Sequence, residues 1–202
     1  MVEERAGKNI KEIDRCNVSV AGKIEEKPVE CVSTENYKMY CFDLIVGRFS
    51  GKEDRVSVMV RKEIADRMEE FIGSTITVDG TLRTYKREDG RSRTWLLAHN
   101  FLHKESDINS AEIVGKLVSV RETVNDVGVS VCEMRIEVVS RFSKMSRITV
   151  VVWGDNVAEL LNVAIGSRVM AVGRVQERGY KGSGKETNRN LEIASKNIEV
   201  LK

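Results

Sequence analysis

Residues 148–180, ITVVVWGDNVAELLNVAIGSRVMAVGRVQERGY, decide how the rest of the chain is read. Ile148, Val150 and Val152 alternate with Thr149, Val151 and Trp153, the period of a strand. Asp155 is placed to cap a short helix whose apolar residues Val157, Leu160, Leu161 and Ala164 fall at helical spacing. Gly166 ends that helix, and Val169, Ala171, Gly173 and Val175 resume a strand. Beyond it come Arg174, Arg178, Tyr180 and Lys181, then a glycine-rich basic loop. The stretch therefore reads strand, helix, strand, basic loop.

A weaker copy lies upstream. Gly22-Lys23-Ile24 returns 93 positions on as Gly115-Lys116-Leu117, and Arg48-Phe49-Ser50 returns as Arg141-Phe142-Ser143. Ile72-Gly73-Ser74 returns as Ile165-Gly166-Ser167, and Gly80 as Gly173, at the same offset. Between these marks the first half shows Val18 and Val20, then Tyr40, Phe42, Leu44 and Val46, then Val56, Val58 and Val60 as strand faces. A helix with Ile64, Met68 and Phe71 on one face follows. Two more strands close the half, one on Ile76, Val78, Gly80 and Leu82, the other over 95–102. The expected architecture is all-β: two tandem OB-fold five-stranded barrels, each with a short helix between strands three and four. A β-sandwich is the competing arrangement, and it accounts less well for the single placed helix. The expected domains are a charged arm over 1–16, a first barrel over 17–105 and a second over 109–202.

Composition narrows the setting. The 202 residues carry 33 Lys+Arg against 31 Asp+Glu, a net charge of +2, so the charge total announces no polyanionic partner. A basic surface must come from placement instead. Cys16, Cys31, Cys41 and Cys132 form no Cys-x-x-Cys pair and read as reduced thiols of a cytoplasmic protein. The charged N-terminus lacks the apolar run of a signal peptide, and no stretch approaches the ~20 apolar residues of a membrane span. His99 and His103 have no companion ligands, and Gly182-x-Gly184-Lys185 lacks the spacing of a phosphate loop. No metal, cofactor or catalytic group is expected.

The second half resembles the bacterial single-stranded DNA-binding protein family. The likeness is carried by Val150-Val151-Val152-Trp153-Gly154, by the helix over 156–161 with Ala158-Glu159, and by Ile165-Gly166-Ser167. It continues through Val172-Gly173-Arg174-Val175-Gln176-Glu177-Arg178-Gly179-Tyr180 and over 191–201. The first half is similar to the N-terminal domain of the tandem two-domain version of that family, through Tyr40-Cys41-Phe42-Asp43-Leu44, Arg48-Phe49-Ser50-Gly51 and Gly80-Thr81-Leu82-Arg83-Thr84-Tyr85. Arg61 stands where Trp153 stands in the second half. The resemblance implies a binding protein, not an enzyme, that takes single-stranded DNA in replication, repair or recombination. It implies four OB domains per assembly, hence a homodimer of this two-domain chain. The family's acidic C-terminal tip, which recruits replication proteins, has no counterpart before Lys202.

A sequence-tolerant single-strand binder needs aromatic faces for bases and cations for phosphates. Alternation leaves Trp153 open between a stacking face and the core, and the resemblance places it on the face. Tyr180 and Lys181 open a basic loop that continues through Lys185 to Arg189, and Arg174 and Arg178 precede it. Their counterparts are Arg83, Tyr85 and Lys86, ahead of Arg87, Arg91 and Arg93 around an Asp89-Gly90 hairpin turn. Phe49 with Arg48, and Phe142 with Arg141, end the second strands; Lys144 and Arg147 extend the latter run. Either phenylalanine could equally close a barrel end. Trp95, aligned with Leu191, is expected in the core. The DNA-binding set is thus Trp153, Tyr180, Phe142, Phe49 and Tyr85, with Arg48, Arg61, Arg83, Lys86, Arg141, Lys144, Arg147, Arg174, Arg178 and Lys181. The second domain is expected to carry most of the stacking, the first mainly charge or assembly. Two other readings fit the same elements: a primosome-type adaptor that binds proteins, and an RNA-binding module.

Overall fold

The computed structural model describes residues 13–33, 37–48, 50–86, 90–103, 107–124, 128–140, 143–154, 157–181 and 187–201. In chain order the elements are β1 (Arg15–Ile24), β2 (Val29–Ser33), β3 (Lys38–Gly47), β4 (Glu53–Arg61), α1 (Lys62–Met68), β5 (Thr75–Lys86) and β6 (Ser92–Leu102). They are followed by β7 (Asn109–Val124), β8 (Ser130–Val139), β9 (Met145–Val152), α2 (Val157–Leu160), β10 (Arg168–Lys181) and β11 (Thr187–Leu201). A 3-10 turn, Glu69–Phe71, continues α1. The chain is all-β, as the period-2 runs require.

The first-half strands close a circuit of pairings. β1 pairs antiparallel with β3 and β5, β3 with β4, and β5 with β6, while β4 and β6 meet in parallel at Val58–Leu96 and Met59–Leu97. The second half repeats it: β7 pairs with β8 and β10, β8 with β9, and β10 with β11, while β9 and β11 meet in parallel at Val150–Ile193 and Val151–Ala194. Alternate residues point inward, so Phe42, Leu44, Val46, Val56, Val58 and Val60 of the first half and Met134, Ile136, Ile148, Val150 and Ile193 of the second are buried in the core. Ala65 and Met68 of α1 and Leu160 of α2 are buried in the same core.

β2 was not legible from sequence. Its residues Val-Glu-Cys-Val-Ser are almost all exposed, so it leaves no apolar alternation and is held to β3 by backbone pairing. β1 begins at Arg15, inside the segment read as a charged arm. There Asp14 accepts from the Arg168 guanidinium at 2.7 Å and from the Val139 N–H at 2.8 Å.

β1 joins the halves. Its stretch Arg15–Val20 pairs antiparallel with Val114–Asn109 of β7, while β5 and β10 take the other edges. A row of paired residues, Gly80, Val18, Ala111 and Gly173, crosses the junction. Val18 and Ala111 are themselves one repeat apart. Antiparallel strands that pair equivalent residues are related by a two-fold axis, so the halves meet as an approximate symmetric pair.

The side contacts obey the same relation. Where β1 parts from β5, the Leu82 N–H donates to the Cys16 Sγ at 3.2 Å; in the equivalent place the Val175 N–H donates to Asn109 Oδ1 at 2.8 Å. Burial of Cys16 pushes its thiol up to about 11, which keeps it protonated. The Thr84 N–H reaches Ser146 Oγ at 3.4 Å, and the Glu177 N–H reaches Asp54 Oδ1 at 2.9 Å. Each β-hairpin thus leans on the opposite half.

Gly80 and Gly173 sit at register shifts in β5 and β10. A Cβ on Gly80 would lie 2.2 Å from the Leu97 carbonyl oxygen, and one on Gly173 2.2 Å from that of Ala194. Because backbone stands in the way, Gly173→Ala should cost about 1–3 kcal/mol, read as a lower urea midpoint. Gly47→Ala, where nothing lies within 4 Å of the added carbon, is the control and should stay near wild type. Equal midpoints for the two variants would contradict the close approach.

Candidate nucleic-acid interface

Strand parity sorts the predicted residues. In β6, Thr94, Leu96 and Ala98 are buried, which turns Arg93 and Trp95 to the outer face. On β5, Leu82 points inward and Arg83 and Tyr85 outward; on β4, Val58 and Val60 point inward and Ser57 and Arg61 outward. Register then brings them together. Arg83 is the cross-strand partner of Trp95, and Tyr85 that of Arg93.

Trp95 is therefore not in the core. Its ring is half-buried on the outer face, with the Arg93 guanidinium carbon 4.2 Å from the ring centroid. The misplacement has a simple cause. The parallel pairs Val58–Leu96 and Val150–Ile193 make Leu96 the equivalent of Ile193, so Trp95 corresponds to Glu192, not Leu191. A slip of one residue exchanges the two faces of a strand.

Arg93 is held from the far side as well. Its Nη2 donates to Ser57 Oγ at 2.8 Å, and that hydroxyl donates to Asp43 Oδ1 at 2.8 Å. Tyr85 is 40% exposed, and burial of the rest of the ring raises its phenol above the ordinary range. Lys86 and Arg61 are exposed; Arg61 stands at the entry to α1. Arg83 Nη1 donates to the Lys144 carbonyl at 3.3 Å, and Lys144 itself is exposed.

The second half presents a different outer face. Glu133 of β8 and Glu192 of β11 are each only 3% exposed. Arg178 bridges them, donating to Glu133 Oε2 at 2.9 Å and Glu192 Oε2 at 3.3 Å. Arg121 donates to the other oxygen of Glu133 at 2.6 and 3.0 Å, and Gln176 Nε2 to Glu192 Oε1 at 2.7 Å. Arg174 in turn donates to Gln176 Oε1 at 3.3 Å. Of the cations predicted for phosphate, Arg178 thus holds two buried carboxylates, Arg48 is paired with the buried Asp54, and Arg147 is 3.1 Å from Glu137. Trp153, 37% exposed, ends this face just past β9.

Phe49, Arg141 and Phe142 lie outside the described residues, as do Arg87, Asp89 and Asp155, and the side chains of Tyr180, Lys181 and Lys185. The turns around the two Arg-Phe-Ser copies can still be compared. The Arg48 N–H donates to the Lys52 carbonyl at 2.7 Å and the Ser140 N–H to that of Lys144 at 2.9 Å, with positive φ at Gly51 and Ser143. Arg48 therefore corresponds to Ser140. The tripeptides match in letters at the repeat distance, but the turns correspond one position earlier, because Ile24 pairs with Leu44 20 positions on whereas their equivalents Leu117 and Ile136 pair 19 apart.

Sequence reading missed Arg93, Trp95 and Arg55 as neighbours. Arg55, Arg93 and Arg189 line one shallow groove between the halves with Ser57, Glu177 and Asn190. There the Asn190 Oδ1 accepts from the Thr94 N–H at 2.7 Å. The groove mixes cations from both hairpins, which no linear window shows.

The fold is shared with the wild-type single-stranded DNA binding protein from Thermus aquaticus, at a TM-score of 0.73 and 15% identity over 94% of each chain. A deletion mutant of that protein gives the same TM-score and identity over 94% of this chain and 96% of its own. No protein-family model matches the sequence, and no curated protein matches it. The expected likeness to bacterial single-stranded DNA-binding proteins holds at the level of the fold. Among the described residues no helix is long and apolar enough to cross a membrane.

Burial of Glu192 holds its carboxyl above the ordinary 4.5, against the Gln176 hydrogen bond and the Arg178 charge. The folded chain keeps that proton to higher pH than the unfolded one. Its contribution to stability is therefore full below 4.5 and is lost as pH rises through the raised value. Glu192→Gln, neutral throughout, should gain on wild type in urea midpoint as pH climbs from about 4, then hold a constant lead. A difference that is flat from about pH 4 to pH 8 would contradict the assignment.

Proposed function

We propose that the chain binds single-stranded DNA, as a non-enzymatic protein built from two tandem OB-type barrels over 17–105 and 109–202. Each barrel has its helix between its third and fourth strands, β2 standing outside the count. The observation that carries the reading is the fold, shared along nearly the whole of both chains with the single-stranded DNA binding protein from Thermus aquaticus. The outer faces add chemistry that suits it: exposed Tyr85 and Trp153 for bases, and Arg61, Lys86 and Lys144 for phosphates. Phe49, Phe142, Tyr180, Arg141 and Lys181 extend the same set in the sequence.

The setting we infer is replication, repair or recombination in the cytoplasm, with two chains assembling four barrels. The second half supplies a specific reason to keep a protein-binding role in view. Its outer face commits Arg121 and Arg178 to the buried Glu133 and Glu192, so those cations are engaged within the protein.

Titration with oligo-dT at several salt concentrations tests the reading. Binding should quench tryptophan emission, weaken linearly in log–log form as salt rises, and exceed that for duplex DNA or oligo-U. Trp153→Ala should lose about 1–3 kcal/mol of affinity. Absence of salt-sensitive binding at micromolar protein would turn the assignment to the adaptor, and stronger binding of oligo-U to RNA. Light scattering should read twice the chain mass.

A further inference from the structure

We propose that the outer face of the first half is a base-stacking site in its own right, formed by Trp95 and Tyr85 and braced by Arg93. The inference rests on the single-strand reading and concerns which residues of this chain hold the bases.

Three observations converge on it. The Arg93 guanidinium carbon sits over the Trp95 ring, 4.2 Å from its centroid, and that guanidinium is anchored through Ser57 to Asp43. The ring is therefore fixed before a ligand arrives, so little side-chain freedom is lost when a base stacks on it. Tyr85 is the diagonal neighbour of Trp95 across β5 and β6, on the same face, since Tyr85 opposes Arg93 and Arg83 opposes Trp95. Diagonal positions stand about 7 Å apart, so two aromatic faces are available to neighbouring bases of one strand. Cations border both rings. Arg83 lies beside Trp95 in register, and Arg55 shares with Arg93 the groove alongside, where Arg189 is paired with Glu177 at 3.0 Å.

The second half does not repeat this arrangement. Glu192 occupies the place of Trp95, Gln176 that of Arg83 and Arg178, rather than the expected Tyr180, that of Tyr85, and their polar groups bond to one another. Its stacking resides at the end of β9, in Trp153. Each half thus carries its tryptophan at a different point of the same scaffold.

The chain has two tryptophans, so each can be made the sole reporter. In Trp153→Phe, emission comes from Trp95 alone; in Trp95→Phe, from Trp153 alone. Binding is followed separately by anisotropy of labelled oligo-dT. The Trp95 emission of Trp153→Phe should fall saturably in step with the anisotropy. Trp95→Leu, which keeps an apolar side chain, should bind about 5- to 150-fold more weakly with a thermal midpoint close to wild type. Anisotropy that rises while Trp95 emission stays constant would overturn the site, as would a folded Trp95→Leu protein with wild-type affinity. If wild type itself gives no anisotropy change, the single-strand reading fails and this site fails with it.

Discussion

The antiparallel pairing of β1 with β7 is the constraint on which the rest of the molecule depends. At Val18 and Ala111 both strands have neighbours on both edges, so the ladder runs unbroken from β5 through β1 and β7 to β10. Those backbone groups are buried, and a broken ladder would leave them unpaired at about 1–3 kcal/mol each. Because paired positions are one repeat apart, the junction imposes two-fold geometry on everything attached to it. The β5–β6 hairpin then has to reach β9, and the β10–β11 hairpin β4, through Thr84–Ser146 and Glu177–Asp54. The chemistry at these equivalent sites differs, hydroxyl in one and carboxylate in the other, while the geometry is kept.

That geometry also explains how far sequence reading could go. Core positions were readable because their period is local: Val56, Val58 and Val60 announce a face by themselves, as do Ile148, Val150 and Val152. The paired glycines were readable because the close approach at each excludes any Cβ. Outer-face residues obey no such rule. Trp95 was assigned to the core by an alignment one residue out, and in a strand one residue is the whole difference between inside and outside. The shift originates within the hairpin that carries Trp95. Gly80 pairs with Ala98, whereas Gly173 pairs with Ser195, so the second hairpin is four residues longer and a constant offset fails beyond it.

The Arg-Phe-Ser copies carry the same lesson in reverse. Their letters agree at the repeat distance, yet the turn hydrogen bonds align Arg48 with Ser140. Arg48 itself is drawn to Asp54, whose other contact, with the Glu177 N–H, belongs to the junction between halves. A side chain that looked like a phosphate ligand is part of the joint. Arg178 shows the same shift of role in the second half, where removing it would leave Glu133 and Glu192 facing each other with less compensation. Charge in a sequence window counts residues, whereas affinity for a polyanion depends on which of them lack an acidic partner.

Divergence between the halves follows from where the constraint acts. The junction and the buried core fix backbone paths and constrain the outer faces less, although Arg83 and Asn190 there reach across to the opposite half. In the first half that freedom is used for Trp95, Tyr85 and Arg93. The second half instead holds a carboxylate pair spanned by arginines, tied across four strands from Arg121 on β7 to Gln176 on β10. Ionic networks of this kind fix strand geometry but add little net stability, because desolvation offsets most of the attraction. The raised carboxyl of Glu192 is the trace of that unpaid desolvation. A scaffold of two like halves can therefore keep one face stiff and ionic while the other presents rings and cations. The two-fold junction then brings the Arg189–Glu177 ion pair of the second half to the border of the first-half face.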